Sequence, residues 1–179
     1  AQERLIIARP ETHRAFQPYD RGLLWCVEHD KTGVVEKSRW QGASWLVLMV
    51  EDWLCGFHEN VQILNISRNE DAVDDGTKDS LFWKLRYMHE HHPPWLMGEI
   101  EQSKLYFGYK RTKSEITGMA TTKYATIGGR GTWIVADEFP EIRIGDVIRQ
   151  KTALTSDSRL FVGTHLGVGT PFQIMCDPK

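Results

Sequence analysis

The chain has 179 residues, 41% of them hydrophobic and 26% charged, with a formal net charge of -2. That length suits one domain, 1–179, with a substantial core. No run approaches the roughly 20 apolar residues of a membrane helix, and the near-neutral balance argues against a surface that wraps nucleic acid throughout. Cysteines 26, 55 and 176 are odd in number and widely spaced, matching neither a disulfide framework nor a paired zinc motif. A reducing compartment is expected, and the N-terminal AQERLIIARPETHR lacks the apolar centre of a secretory signal.

In chain order, a short strand is expected around Gly33 to Lys37, leading into a Gly-containing turn. Ala43, Leu46, Val47, Val50, Trp53, Leu54 and Phe57 then fall at helical spacing, widened by Leu48 and Met49, so this helix should be largely buried. Val61 to Ile66 reads as a strand. Ser67 or Asn69 is a candidate N-cap for a helix carrying Leu81, Phe82, Leu85 and Met88. His91 to Pro94 reads as a loop, and His89, His91 and His92 beside Glu90 as a solvated turn. Residues 104–118, with Leu105, Phe107, Ile116 and turn-prone Gly108, suggest a hairpin or irregular strands. Trp133 to Ala136 and Arg159 to Gly163 are compact apolar runs of the kind central strands show. Helices interleaved with such strands indicate an α/β fold: a mainly parallel sheet covered on both faces, with functional loops at the carboxyl ends of its strands.

Three of those ends carry candidate chemistry. Lys37-Ser38-Arg39-Trp40-Gln41-Gly42-Ala43-Ser44 compares with the phosphate loop G-x-x-x-x-G-K-[ST], whose backbone N–H groups cradle phosphates while Lys reaches the β/γ oxygens and the hydroxyl holds Mg²⁺. Gly42 and Ser44 keep their places, but Ala43 occupies the lysine position and Lys37 that of the first glycine. The chemistry needs a positive charge near the phosphates rather than one backbone address, so Lys37 or Arg39 can supply it, and the following helix start adds free N–H groups. Trp40 either stacks on a nucleotide or packs under the loop. Trp133-Ile-Val-Ala-Asp137-Glu138 is a strand delivering two carboxylates, the Walker B arrangement. Asp137 would position Mg²⁺ and Glu138 would polarise a water attacking the γ-phosphate. At the end of the third such strand, Thr164 either senses the γ-phosphate and passes its loss to the sheet or simply ends the strand before a Gly-rich turn.

Together KSRWQGAS, GGRGTWIVADEF and RLFVGTHLGVGTPF resemble the ATPase domain of the large terminase subunit of tailed bacteriophages, over roughly residues 15–175. The resemblance implies a three-layer P-loop NTPase of the RecA-like (ASCE) class, with ATP and Mg²⁺ as cofactors. Its deviant Walker A, with an early lysine, falls on Lys37, and its Mg²⁺-binding hydroxyl on Ser44. The Walker B acid and catalytic glutamate fall on Asp137 and Glu138, and the coupling motif on Gly163 and Thr164, with His165 where proline is frequent. Arg130 is the nearest match to the family's arginine finger, acting in trans, in cis or in a loop salt bridge. Gln17 is the nearest adenine-reading glutamine, displaced toward the N-terminus, with Asp20 at the aligned position.

The implied function is ATP hydrolysis driving double-stranded viral DNA into a procapsid. The implied partners are double-stranded DNA, a homo-oligomeric ring on a portal and a small terminase subunit, in the cytoplasm of an infected bacterium. Residues 51–80 hold eight acidic and two basic side chains, whereas residues 101–130 hold six basic and two acidic. Lys110, Arg111 and Lys113 are therefore the candidate DNA contacts. The family's second, nuclease domain has no room in this chain. The alternatives are the first RecA-like domain of a superfamily 2 helicase, and a nucleotide-binding assembly module with weak hydrolysis.

Overall fold

The computed structural model describes residues 5–7, 17–38, 41–121, 131–167 and 169–177. Eight strands form one sheet: β1 (Leu5–Ile7), β2 (Thr32–Glu36), β3 (Gln62–Ser67), β4 (Ile100–Ser103), β5 (Tyr106–Tyr109), β6 (Ser114–Ala120), β7 (Trp133–Ala136) and β8 (Arg159–Gly163). Their order is β1-β2-β8-β7-β3-β6-β5-β4. The first six in that order pair in parallel, whereas β4, β5 and β6 form an antiparallel meander.

Seven helices belong to the described residues: α1 (Gln17–Glu28), α2 (Ala43–Phe57), α3 (Glu70–Asp74), α4 (Leu81–His91), α5 (Pro94–Met97), α6 (Gly145–Ala153) and α7 (Pro171–Cys176). Two apolar clusters separate by strand alternation, as a sheet covered on both faces requires. Val35, Val135, Leu160 and Val162 face α1, α2 and α4. Val34, Ile134, Ala136 and Phe161 face Phe139, α6 and α7. No described helix is long and apolar enough to cross a membrane.

Four sequence readings change. The helix expected after Asn69 is two helices. Asn69 caps α3 by accepting from the Ala72 N–H at 2.9 Å, and the chain turns at Gly76, φ +78°, before α4 begins. The helix α2 has the expected bounds but is not buried all round: Met49, Trp53 and Phe57 are 56%, 42% and 47% exposed. Gly108 lies within β5 rather than at a turn. The histidine segment is no solvated turn either, since α4 runs through His91 and His92 Nε2 contacts buried Asp52 Oδ2 at 2.5 Å. The Tyr109 hydroxyl donates to the other oxygen of Asp52.

A second carboxylate, Asp74, also ties the meander to the helical layer. Arg86 on α4 donates to both oxygens of Asp74 at 2.8 and 2.7 Å, and the Leu105 N–H, in the β4–β5 turn, donates to Asp74 Oδ2 at 2.9 Å. Such bidentate pairing fixes orientation as well as distance.

Candidate active site

The carboxyl ends of β2, β8, β7 and β3 converge, and every segment singled out around a phosphate loop begins there. β8 lies between β2 and β7, pairing with both. The backbone N–H of Lys37 donates to the Gly163 carbonyl at 2.9 Å, extending the β2–β8 ladder by one residue. The loop then turns through Gly42, whose φ of +71° lies in the left-handed region that glycine adopts without a Cβ penalty. Gly42 is the N-cap of α2, and no side chain caps that end. The first N–H groups of a 15-residue helix are therefore left to face the turn. Gln41 folds back on the loop, its Oε1 accepting from the Ser38 N–H at 3.3 Å.

Ser44 joins the two halves of the site. Its hydroxyl donates to Asp137 Oδ2 at 2.8 Å, across 93 residues of sequence. Asp137 is buried, anchored by its N–H donating to the Ile66 carbonyl at 2.9 Å, and its Oδ1 has no hydrogen-bond partner. A buried carboxylate oxygen lacking a donor is costly, and a hard cation ligated by oxygen relieves that cost. The hydroxyl and carboxylate together thus fit the oxygen donor set that Mg²⁺ takes.

Glu138 follows at φ +52°, a left-handed backbone uncommon outside glycine that aims its side chain differently from an extended strand end. Burial, and then the neighbouring charge of Asp137, holds its carboxyl above the usual carboxylate range, while Arg68 and Lys37 act in the opposite sense. Arg68 Nε stands 3.3 Å from Glu138 Oε2, an ion pair without hydrogen-bond alignment, and Arg68 also donates to Glu141. Lys37 is thus near enough to act electrostatically on Glu138, after burial, Asp137, Arg68 and Glu141.

Gly163 is required by close approach. A Cβ there would stand 2.2 Å from Pro140 Cδ, in the turn that follows Glu138. Thr164, half-buried, follows directly, so of the expected coupling pair it is Gly163 that lies against the acidic turn, at Pro140. The structure therefore brings together Lys37, Gly42, Ala43, Ser44, Asp137, Glu138, Gly163 and Thr164. Arg39, Trp40 and Arg130 lie outside the described residues, and Gln17 is placed only as the first residue of α1.

The basic candidates lie elsewhere. Lys110, Arg111 and Lys113 occupy the turn between β5 and β6, at the amino end of the sheet, where the Asn60 N–H donates to the Thr112 carbonyl. Arg111 donates to the Gly56 carbonyl at 2.7 Å and covers the Phe57 ring, and Lys110 pairs with Glu99 at 3.3 Å.

Sequence reasoning missed four polar residues around the carboxylates. Arg68 follows the carboxyl end of β3, the position where functional loops belong in such sheets, and that was a usable signal. On α4, Lys84 is drawn down in proton affinity by burial, against the attraction of Asp137, Asp79 and Glu138. Behind the phosphate loop, Asn65 Nδ2 donates to fully buried Glu51 Oε2 at 2.7 Å. Glu51 lies two turns beyond Ser44 on the same face of α2. A cavity of about 10 Å³, lined by Ser44, Asn65 and Asp137 among apolar side chains, is about the size of one water.

No protein-family model matches the sequence, and no curated protein matches it. Among solved structures, the large terminase of bacteriophage HK97 superposes with a TM-score of 0.58 at 15% identity, over 82% of this chain and 32% of that one. The large terminase of a thermophilic bacteriophage, in complex with ADP, gives 0.57 at 9% identity, over 81% and 37%. Another crystal form of that thermophilic phage's protein gives 0.59 at 12% identity, over 79% and 36%. The chain spans about a third of the length of these terminases. At such identities the likeness is one of fold, and it agrees with the topology: an α/β P-loop NTPase fold of the kind found in phage large terminases.

Proposed function

We propose that this chain is an ATP-hydrolysing motor domain of the large-terminase type, which drives double-stranded DNA into a procapsid. The observation that carries the reading is the Ser44–Asp137 hydrogen bond at 2.8 Å. It joins a glycine turn at a helix start to the carboxylate of a central strand, with Glu138 next in sequence. The ADP complex of the thermophilic phage's large terminase supports a nucleotide as the ligand of this fold.

In this reading the uncapped N–H groups at the start of α2 and the Lys37 ammonium receive the phosphates. Ser44 and Asp137 would hold Mg²⁺, which would supply positive charge against the phosphates. Glu138, with its raised proton affinity, orients the attacking water and accepts its proton. Pro140, packed on Gly163, passes the change at the acidic turn to Thr164. Ala43 then needs no lysine's charge, because that charge comes from the loop's first residue. Lys110 and Lys113 contact the DNA backbone from the amino end of the sheet, with a homo-oligomeric ring, portal and small terminase subunit as partners.

Steady-state ATP turnover and ADP binding by calorimetry, measured side by side, test the reading. Glu138→Gln is expected to lower turnover by about 10²–10⁴-fold and leave ADP binding intact. Lys37→Ala is expected to weaken binding. Equal turnover in wild type and Glu138→Gln would refute the catalytic assignment, and ADP binding without any turnover in wild type, with or without DNA, would favour the assembly module.

A further inference from the structure

A second group of ligand-type side chains lies beside the phosphate loop, on residues the motor reading does not use. Glu36 is the last residue of β2. His165 lies two residues beyond β8, and Cys176 ends α7. Glu36 pairs in register with Gly163, so the two strands deliver Glu36 and His165 to the same end of the sheet. The third group is brought there by α7, whose Phe172 and Met175 are buried in the second apolar cluster. Phe172 also meets the His165 ring edge to face at 5.6 Å between centroids, holding the imidazole against α7.

We infer that Glu36, His165 and Cys176 form a binding site for one thiophilic divalent cation of the zinc class. One ligand atom from each of the three lies within 4.8 Å of the other two. In a tetrahedral zinc site, bonds of about 2.0–2.3 Å place ligand atoms roughly 3.3–3.8 Å apart. Glu36 Oε1 and His165 Nε2 already stand 3.2 Å apart. The remaining closure falls within side-chain adjustment, because all three side chains are only half-buried.

The donor set selects the metal. A thiolate with an imidazole favours zinc over magnesium, and Ser44 with Asp137 offers oxygen alone. Binding deprotonates the thiol, and three protein ligands leave a fourth position for water. His165 Nδ1 is buried without a hydrogen-bond partner. The other two cysteines do not compete, since Cys26 and Cys55 are buried within α1 and α2. A bound ion would clip the end of α7 to the ends of β2 and β8.

The test is metal titration of the chelator-treated, reduced 179-residue chain, with no nucleotide present. Zn²⁺ is followed by calorimetry and thermal unfolding, and Co²⁺ by its thiolate charge-transfer and tetrahedral d–d bands. One equivalent is expected, with a thiolate band for Co²⁺ and a higher unfolding midpoint with Zn²⁺. Cys176→Ser is expected to lose the thiolate band, and His165→Gln to weaken Zn²⁺ binding by at least about tenfold. Circular dichroism establishes that both variants are folded, and Cys26→Ser serves as the control that retains the band. Absence of stoichiometric binding, a band that survives Cys176→Ser, or Zn²⁺ affinity unchanged in both variants would overturn the inference.

Discussion

Replacing Glu51 by Gln changes one buried atom and should reshape the dependence of stability on pH. Glu51 is fully buried. Its Oε2 accepts from Asn65 at 2.7 Å, whereas its Oε1 and the Asn65 Oδ1 have no partner. Burial, opposed in part by the Asn65 hydrogen bond and reinforced by the charges of Asp137 and Asp52, pushes its carboxyl up from 4.5 to about 8. Between those values the folded chain holds a proton that the unfolded chain has released. The folded-state value is the higher one, so this contribution is fully present below about pH 4.5 and lost as pH rises through about 8.

At about 1.4 kcal/mol per pH unit, the interval corresponds to on the order of 4–5 kcal/mol, a large share of an ordinary domain's stability. Gln does not titrate, and its amide supplies the second hydrogen-bonding group that the buried carboxylate lacks. Urea denaturation from pH 4.5 to 9, with slopes checked for constancy, should give curves that diverge: Glu51→Gln within about 1 kcal/mol of wild type at the acid end, and more stable than wild type at the alkaline end. Parallel curves would refute the reasoning, because they would mean that Glu51 titrates alike in both states.

Gly163→Ala should destabilise by about 1–3 kcal/mol, since the new methyl meets a rigid proline ring at 2.2 Å. A midpoint of denaturation equal to wild type would mean that the Pro140 turn yields freely. Arg68→Ala should cost at most about 1–2 kcal/mol, because the two pairs it breaks, with Glu138 and Glu141, are both partly exposed. With the opposing charge gone, Glu138 should be raised further, and the acid limb of ATP turnover should move to higher pH. An unmoved limb would show that Arg68 does not tune Glu138.

The parts of the fold that were legible were those where one force decides. The bounds of β7, β8 and α2 follow from continuous apolar runs or helical spacing, and the site residues at their ends came with them. The exposure of Trp53 and Phe57 was not legible, because an apolar stripe as wide as that of α2 does not reveal which part meets the sheet. Glu51 was hidden for the opposite reason. A carboxylate within a helix reads as solvent-facing, and only Asn65, brought over by β3, makes its burial tolerable. Arg68 left a signal in its place after β3, but which strand it would face became visible only when strand order placed β3 beside β7, and Lys84 only when α4 was laid over the carboxylates.

The interposed strand β8 has a mechanical consequence. With strands about 4.8 Å apart, β2 and β7 are held roughly 10 Å from each other by two ladders of backbone hydrogen bonds. Their spacing is therefore stiff, like a slot milled to a fixed gauge. Any stroke this domain makes has to come from what is mounted on the rims of that slot: the loop leaving β2, the turn after β7 and the segment leaving β8.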